Sequence, residues 1–431
     1  MNQLSLELIR FIVEEVPGED LENLRLVNKI FADLAAPRLF EAIPVWIGIR
    51  SLERLTALSE HPQLSRYPKE IIFSPLRFID YKDDKVYRAQ VQEWFEYQPY
   101  SLSSHALAIG RHMSAYRSYI EAQRYLSSKA TDVKILSRAF TRLPNLETLR
   151  LAYANLAIGS LEMVDAFGRF VARDLVTFDC EYALPTLFRA LFCSRTKFKI
   201  FKLGPDGDYA HGGDLSEAVR VRSSLVPLSH AELPSCASTS TPDRIIVDAL
   251  SKTFLSPNVE ICKGALSQLR ELRIGKIFFC GSEVPELSRV TTAIRMMIKS
   301  APDIETIVIH IFGLFYEMPK PSLTATIPES PLGNLRVLEV SDHETKLPAL
   351  TRFFRHHQES LVKVKFSGVN IGSSDWSTAL VHLRTINFAC LELFTLTCCD
   401  GQEEELEVQD YISKKTDEDP LVVFKKHFNT E

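Results

Sequence analysis

No two cysteines in this chain stand at C-x-x-C spacing, although there are eight of them: Cys180, Cys193, Cys236, Cys262, Cys280, Cys390, Cys398 and Cys399. That removes the common structural zinc patterns and the dithiol redox motif. Long apolar runs are also missing. The longest lies near Ile307–Tyr316 and includes His310, well short of the ~20 residues a membrane helix needs, so no membrane is expected as a partner. Glu7, Arg10, Glu14 and Glu15 interrupt the first apolar residues, so no signal peptide is expected. The thiols then read as reduced and mostly buried, in a soluble cytoplasmic or nuclear protein.

Catalytic signatures are absent too. Neither G-x-x-x-x-G-K-[ST], H-E-x-x-H nor G-x-S-x-G occurs, and the glycines of GPDGDYAHGGD (204–214) do not open a helix after a strand. His356 and His357 are adjacent and point about 100° apart on a helix, which does not suit one metal; they read as surface histidines. His105 and His112 lie two turns apart, and Cys398-Cys399 reads as one buried and one exposed thiol. Glu403–Glu405 reads as a solvated acidic patch. No catalytic residue, metal or cofactor is expected, and the chain is read as not an enzyme.

What the sequence does have is enough apolar material for a large core. Hydrophobic residues make up 45% and charged residues 24% of 431, which suits two or three domains or one elongated array. The net charge of −5 is uneven: residues 1–43 carry eight acids and four bases, residues 400–431 ten acids and four bases, and the middle is mildly basic. Without a concentrated basic stripe, nucleic acid is not expected as a partner; protein partners are.

Residues 1–43 read as a short helical module. Leu8, Ile9, Ile12, Val13 and Val16 recur at helical spacing, with Ser5 able to cap the start and Pro17-Gly18 stopping the helix. A second helix is expected from Asp20, its N-cap, with a stripe of Leu24, Val27, Phe31 and Leu34. Pro37 opens a third through Leu39, Phe40 and Ile43. Three such helices carry more apolar side chains than they can hide from one another, so the excess must meet something else.

Residues 44–142 read as a connector with a short strand at Lys69–Phe73 and helices near Asp84–Tyr97 and Leu102–Arg142. The last is rich in Arg and Tyr and reads as a solvated amphipathic helix. From 143 to about 400 a unit of the form L-x-x-L-x-L recurs. It runs Leu146–Leu149–Leu151, Leu175–Phe178–Cys180, Phe198–Phe201–Leu203, Leu269–Leu272–Ile274, Ile304–Ile307–Ile309, Leu335–Leu338–Val340, Leu361–Val364–Phe366 and Leu383–Ile386–Phe388, with a weak copy at Leu391–Phe394–Leu396. Each copy predicts one strand whose apolar residues enter a core shared with its neighbours. The overall expectation is an α/β protein: a trihelical module followed by an irregular leucine-rich solenoid. A Gly-, Pro- and Ser-rich insert falls at about 204–243 and an acidic tail at 401–431.

The first forty residues resemble the F-box motif, particularly that of fungal proteins with irregular leucine-rich repeats. The resemblance rests on Leu4, Glu7, Leu8, Ile12, Asp20, Leu21, Leu24, Leu26, Val27, Asn28, Phe31, Leu34 and Ala35; Ser5 stands where the family has proline. LSEHPQLSRY (58–67) and KEIIF add to it. The resemblance implies a substrate-recognition subunit of an SCF-type cullin–RING ubiquitin ligase. The module would bind a Skp-family adaptor, and through it cullin, while the repeats would hold a protein substrate whose identity the sequence leaves open. It implies adaptor contacts at Leu4, Leu6, Leu8, Ile9, Ile12, Leu21, Leu24, Leu26, Val27 and Phe31, some of which must instead be the module's own core. The alternatives are a leucine-rich interaction scaffold unrelated to ubiquitin transfer, and an enzyme with its site in the insert.

Overall fold

The computed structural model describes residues 4–18, 20–96, 102–152, 160–167, 176–204, 242–255, 259–279, 284–313, 320–399 and 405–422. The chain is mixed α/β, and its strands pair mostly in parallel. Its packing divides it into two compact units, one holding the described residues up to 196, the other those of 197–204 and from 242 on.

The first unit opens with three helices, Leu6–Glu15 (α1), Leu21–Leu24 (α2) and Lys29–Leu39 (α3). Two expectations change here. The second helix does not run through: it stops at Leu24, and Asn28 starts a new one by accepting from the Phe31 N–H at 3.0 Å. Asn28 thus acts as the N-cap, whereas Asp20 makes no capping bond. Pro37 sits inside α3 near its end and opens no further helix; the chain passes directly into a strand.

That strand, Ala42–Trp46 (β1), pairs in parallel with Glu70–Ser74 (β2). A short strand Leu76–Phe78 (β3) follows, and β2 also pairs in parallel with Thr148–Leu151 (β4). The stretch expected as a connector therefore supplies two strands of the same parallel ladder as the first repeat. Between them lie helices Ile49–Glu60 (α4), Asp84–Glu96 (α5), Leu102–Ser128 (α6) and Thr131–Thr141 (α7), the last two separated at Ala130, whose φ is 47°. Helix Ser160–Phe167 (α8), strand Val176–Phe178 (β5) and helix Cys180–Ser194 (α9) complete the unit. Strand β5 pairs antiparallel with β3, so the copy expected at Leu175–Phe178–Cys180 is not a rung of the parallel ladder: Cys180 begins a helix and Leu175 lies outside the described residues.

The core of this unit is aromatic. Trp46, Phe78, Tyr87, Tyr116 and Phe167 are buried together, and His112 is buried against Phe167 with ring centroids 5.1 Å apart. The buried Glu162 carboxylate accepts from Trp46 Nε1 and the Tyr119 hydroxyl, each at 3.2 Å. The arginines of α6 and α7 are tied down within the unit: Arg117 to Asp84 at 2.8 Å, Arg124 to Asp80 at 2.6 Å and Arg138 to Glu60 at 3.0 Å.

The second unit carries the regular repeats. Strands Ile200–Leu203 (β6), Glu271–Phe279 (β7), Thr306–Gly313 (β8), Val337–Ser341 (β9), Lys363–Ser367 (β10) and Leu393–Thr397 (β11) pair in parallel in that order. A two-residue strand, Leu406–Glu407 (β12), adds antiparallel to β11. Helices Pro242–Phe254 (α10), Val259–Leu266 (α11), Val284–Lys299 (α12), Leu323–Thr326 (α13), Leu347–His357 (α14) and Trp376–Leu383 (α15) alternate with the strands. One face of each strand is sealed. Leu272, Ile274, Ile307, Ile309, Leu338, Val364 and Phe394 are fully buried, and Phe354 of α14 packs its ring on Phe366 and Phe394. His357 belongs to this core, its ring tilted against that of Phe353 with centroids 4.6 Å apart, while His356 faces solvent; the expectation of two surface histidines fails for His357.

Six of the repeat copies fall on strands, at Leu149–Leu151, Phe201–Leu203, Leu272–Ile274, Ile307–Ile309, Leu338–Val340 and Val364–Phe366. The copy at Leu383–Ile386–Phe388 does not, because Leu383 ends α15 and no strand follows until Leu393. The weak copy, Leu391–Phe394–Leu396, is the one that forms β11. Each of the last three parallel strands exits through a left-handed residue: Asp342, Gly368 and Cys398, with φ of 54°, 64° and 53°. One residue later the chain turns a side chain inward. His343 Nδ1 bonds the Ser341 carbonyl at 2.7 Å, and Cys399 Sγ bonds that of Thr397 at 3.3 Å. Each of these buried side chains thus bonds the carbonyl two residues before it. Cys398 is exposed and Cys399 buried, as expected.

Candidate interaction surfaces

The three-helix segment has a very small core. Val13, Leu21 and Ala35 are buried in it, with Val16, Leu24, Phe31, Leu34 and Leu39 packed around them and Ile9 buried on α1. The helix ends are well secured. The Ser5 hydroxyl accepts from the Leu8 N–H at 3.4 Å, and the Arg38 guanidinium donates to the carbonyls of Val13, Glu14 and Val16, closing the end of α1. The segment is therefore a defined fold, and what it leaves outside is left outside by geometry.

It leaves a great deal. Leu4, Leu6, Leu8, Phe11, Ile12, Leu26, Val27 and Ile30 are all exposed, Leu26 at 78%, Val27 at 63% and Phe11 at 60%. These are half of the sixteen exposed large hydrophobic side chains among the described residues, all before position 31. On α1, at about 100° per residue, Leu8, Phe11 and Ile12 point about 120° away from Ile9 and Val13, so the helix has two apolar faces and only one is used. The break between α2 and α3 turns Leu26 and Val27 outward: once Asn28 caps α3, the two preceding residues lie in a turn with no core to enter.

This sorts the ten residues expected to touch an adaptor. Leu4, Leu6, Leu8, Ile12, Leu26 and Val27 lie on the surface, whereas Ile9 and Leu21 are buried and Leu24 and Phe31 pack against the core. Phe11 and Ile30 are surface residues that the sequence pattern missed. The stripe expected at Leu24, Val27, Phe31 and Leu34 is broken by the exposure of Val27.

The second unit offers a different surface. Opposite the sealed face, the parallel strands align further side chains in register, most of them half-exposed, with Val308, Ser341 and Thr395 buried among them. One row runs Ile200, Glu271, Thr306, Val337, Lys363, Leu393; the next runs Lys202, Arg273, Val308, Glu339, Lys365, Thr395. A third, at the strand exits, includes His310, Ser341, Ser367 and Thr397, with His310 Nδ1 2.7 Å from the Ser341 hydroxyl. Arg273 pairs with Glu271, Lys363 with Glu339 at 2.8 Å, and Lys365 with Glu405 at 3.0 Å. Glu405 is thus an ion-pair partner, not simply a solvated acid; Glu403 and all but the first residue of the 204–241 stretch lie outside the described residues.

A groove of about 420 Å³ also runs beside α4, lined by Ile49, Leu52, Glu53, Tyr125, Leu126 and Ile135. Among the described residues no group of three His, Cys, Asp or Glu side chains is placed to hold a metal, and no helix is long and apolar enough to cross a membrane. Compared with models of known protein families and with curated protein sequences, the chain matches none.

Proposed function

We propose that this chain is the substrate-recognition subunit of an SCF-type cullin–RING ubiquitin ligase. The observation that carries the reading is the surface of the three-helix segment: eight large apolar side chains stay exposed on a fold whose own core is already filled. An apolar surface of that density on a small unit marks a protein interface. The F-box resemblance of the same residues names the partner, a Skp-family adaptor, and through it cullin. The parallel repeats, read as an irregular leucine-rich solenoid, would then hold a protein substrate. The mechanism is positional: a substrate held at a fixed distance from a ubiquitin-charged partner gains effective concentration, and this chain supplies no acid, base or nucleophile.

The test is co-purification of the full chain with a Skp-family adaptor, scored by size-exclusion chromatography. The reading expects a one-to-one complex. Leu8→Asp together with Leu26→Asp should abolish it while leaving the circular dichroism spectrum intact, since both side chains are already in solvent. Leu24 and Phe31 are poor choices, because they pack on the core and their loss would unfold the segment. A wild-type chain that does not bind the adaptor, or a double variant that still does, overturns the reading and leaves an interaction scaffold of another kind.

A further inference from the structure

We infer that the groove beside α4 is a second protein-docking site, one that receives a short amphipathic helix of a partner whose apolar stripe is flanked by glutamate or aspartate. It uses no residue of the three-helix segment and does not rest on the ligase reading.

Helix α4 turns one continuous face to this groove. Ile49, Leu52, Glu53, Thr56, Ala57 and Glu60 line it, at i, i+3, i+4, i+7, i+8 and i+11, the spacing by which one helix meets another. That face is about 16 Å long, room for about three helical turns. Across from it stands the corner where the left-handed Ala130 breaks α6 from α7, with Tyr125 and Leu126 before the break and Ile135 after it. Leu52 and Leu126 are buried, whereas Ile49 and Tyr125 stay 40% and 51% exposed. The middle of the α4 face is small. It holds Ala57, and Thr56, whose hydroxyl already bonds the Leu52 carbonyl at 2.8 Å and makes no polar demand on the groove. Small side chains at that point let a second helix come close.

The walls carry charge that the chain itself leaves unmet. Lys134, Arg138 and Arg142 recur at i, i+4 and i+8, along one side of α7 and its C-cap. Arg138 donates to Glu60 Oε1 at 3.0 Å, and Arg142 donates to the same oxygen, so two guanidinium groups share one carboxylate. Lys134 is exposed one turn earlier, and among the described residues its ammonium pairs with no carboxylate. Glu53, on the α4 wall, likewise pairs with no cation there. Lys129 lies over the Tyr125 ring at 5.3 Å and pairs with neither carboxylate of the groove. A helix lying along α4 with its apolar stripe over Leu52, Thr56 and Ala57 brings one flank to α7 and the other to α4. Two acids four residues apart on the first flank match Lys134 and Arg138 at their own spacing, and a lysine or arginine on the second meets Glu53. Charged positions flanking an apolar helical seam set partner choice and register.

The test is fluorescence anisotropy of the full chain with a labelled synthetic peptide of about sixteen residues, long enough to form a helix. It carries a leucine stripe at helical spacing, a glutamate pair four residues apart on one flank and a lysine on the other. This peptide should bind, more weakly as salt rises. A version with each glutamate replaced by lysine, and a scrambled version of the same composition, should bind at least tenfold more weakly. Ala57→Trp, which fills the groove from an exposed position, should weaken binding tenfold or more, and Lys134→Glu severalfold, both with an unchanged circular dichroism spectrum. If Ala57→Trp fails to fold, Lys134→Glu alone decides. Absence of binding by the wild type, equal binding of the scrambled peptide, or an unchanged affinity in a folded variant would each overturn the assignment. So would a dimer of the chain that Ala57→Trp dissociates, since the occupant would then be a second copy. Adaptor co-purification run on the same proteins reports the ligase reading separately, because neither substitution touches the three-helix segment.

Discussion

The Arg38 guanidinium, in the last turn of α3, donates to the Glu14 carbonyl at 2.9 Å, at the end of α1. The same group reaches the Val13 and Val16 carbonyls, so one side chain satisfies three acceptors that a helix end leaves without partners. It also places a positive charge at the negative end of the α1 dipole. Arg38→Ala should therefore loosen the last turn of α1 by about 1–2 kcal/mol. Hydrogen exchange of the amides of α1 should show the loss of protection, while amides of the parallel strands in the second unit stay unchanged.

The split between core and surface in the first forty residues has a sharp consequence. Leu21 is 2% exposed and Leu26 is 78% exposed, although both are leucines on the same short segment. Leu21→Ala should cost about 2–5 kcal/mol, enough to unfold so small a core. Leu26→Ala should stay within about 0.5 kcal/mol. Protection of peptides spanning residues 4–40 in exchange mass spectrometry separates the two. Equal losses would mean that Leu26 has a buried partner.

Asp132 is fully buried at the start of α7, and the Tyr182 hydroxyl of α9 donates to its carboxylate. The Arg77 guanidinium lies over the Tyr182 ring at 4.1 Å and pairs with Asp179 at 3.1 Å, holding the ring in place. Burial, and then the Asp132 hydrogen bond, push the Tyr182 hydroxyl well above its ordinary range, so it stays protonated and keeps donating. Tyr182→Phe removes the donor and leaves a buried carboxylate short of one partner, at a cost of about 1–3 kcal/mol. The urea midpoint of the first unit should fall accordingly. Tyr182→Phe combined with Asp132→Asn should recover part of the loss, because the uncharged amide is cheaper to bury.

Much of the sheet was legible because its strands announce themselves twice, by leucine spacing and by alternation. LRELRI and LRVLEV place apolar residues on one side and Glu or Arg on the other, as the two faces require. The spacing alone failed where a helix end satisfied it: Leu383 and Ile386 point inward from the end of α15 and its following turn, not from a strand. Strand β1 went unread because Pro44 demotes the run Ala-Ile-Pro-Val-Trp; proline is tolerated there because, among the described residues of this unit, β1 pairs with β2 alone. The apolar surface was legible as an excess but not as a set of positions. Helix α1 is apolar on two sides, and only the packing of α2 and α3 decides which side is inner.

Two buried histidines give the fold a pH dependence. Burial holds His343 down at about 4, against a pull upward from its bond to the Ser341 carbonyl, and burial also holds His357 at about 4. Both are depressed below the ordinary value of 6.5 that an unfolded chain would show. Between those limits the unfolded chain binds more protons than the folded one, so stability falls as pH drops from about 6.5 towards 4. Each histidine contributes a slope of up to about 1.4 kcal/mol per pH unit in that window. The two contributions add in the unfolding free energy, so the urea midpoint should be lower at pH 5 than at pH 7. His343→Asn isolates one of them: an asparagine amide can donate to the Ser341 carbonyl as His343 does, and it does not titrate. The variant should fold at pH 7 and lose about half of the acid sensitivity. A midpoint that still falls as steeply would mean that His343 does not contribute to the acid limb.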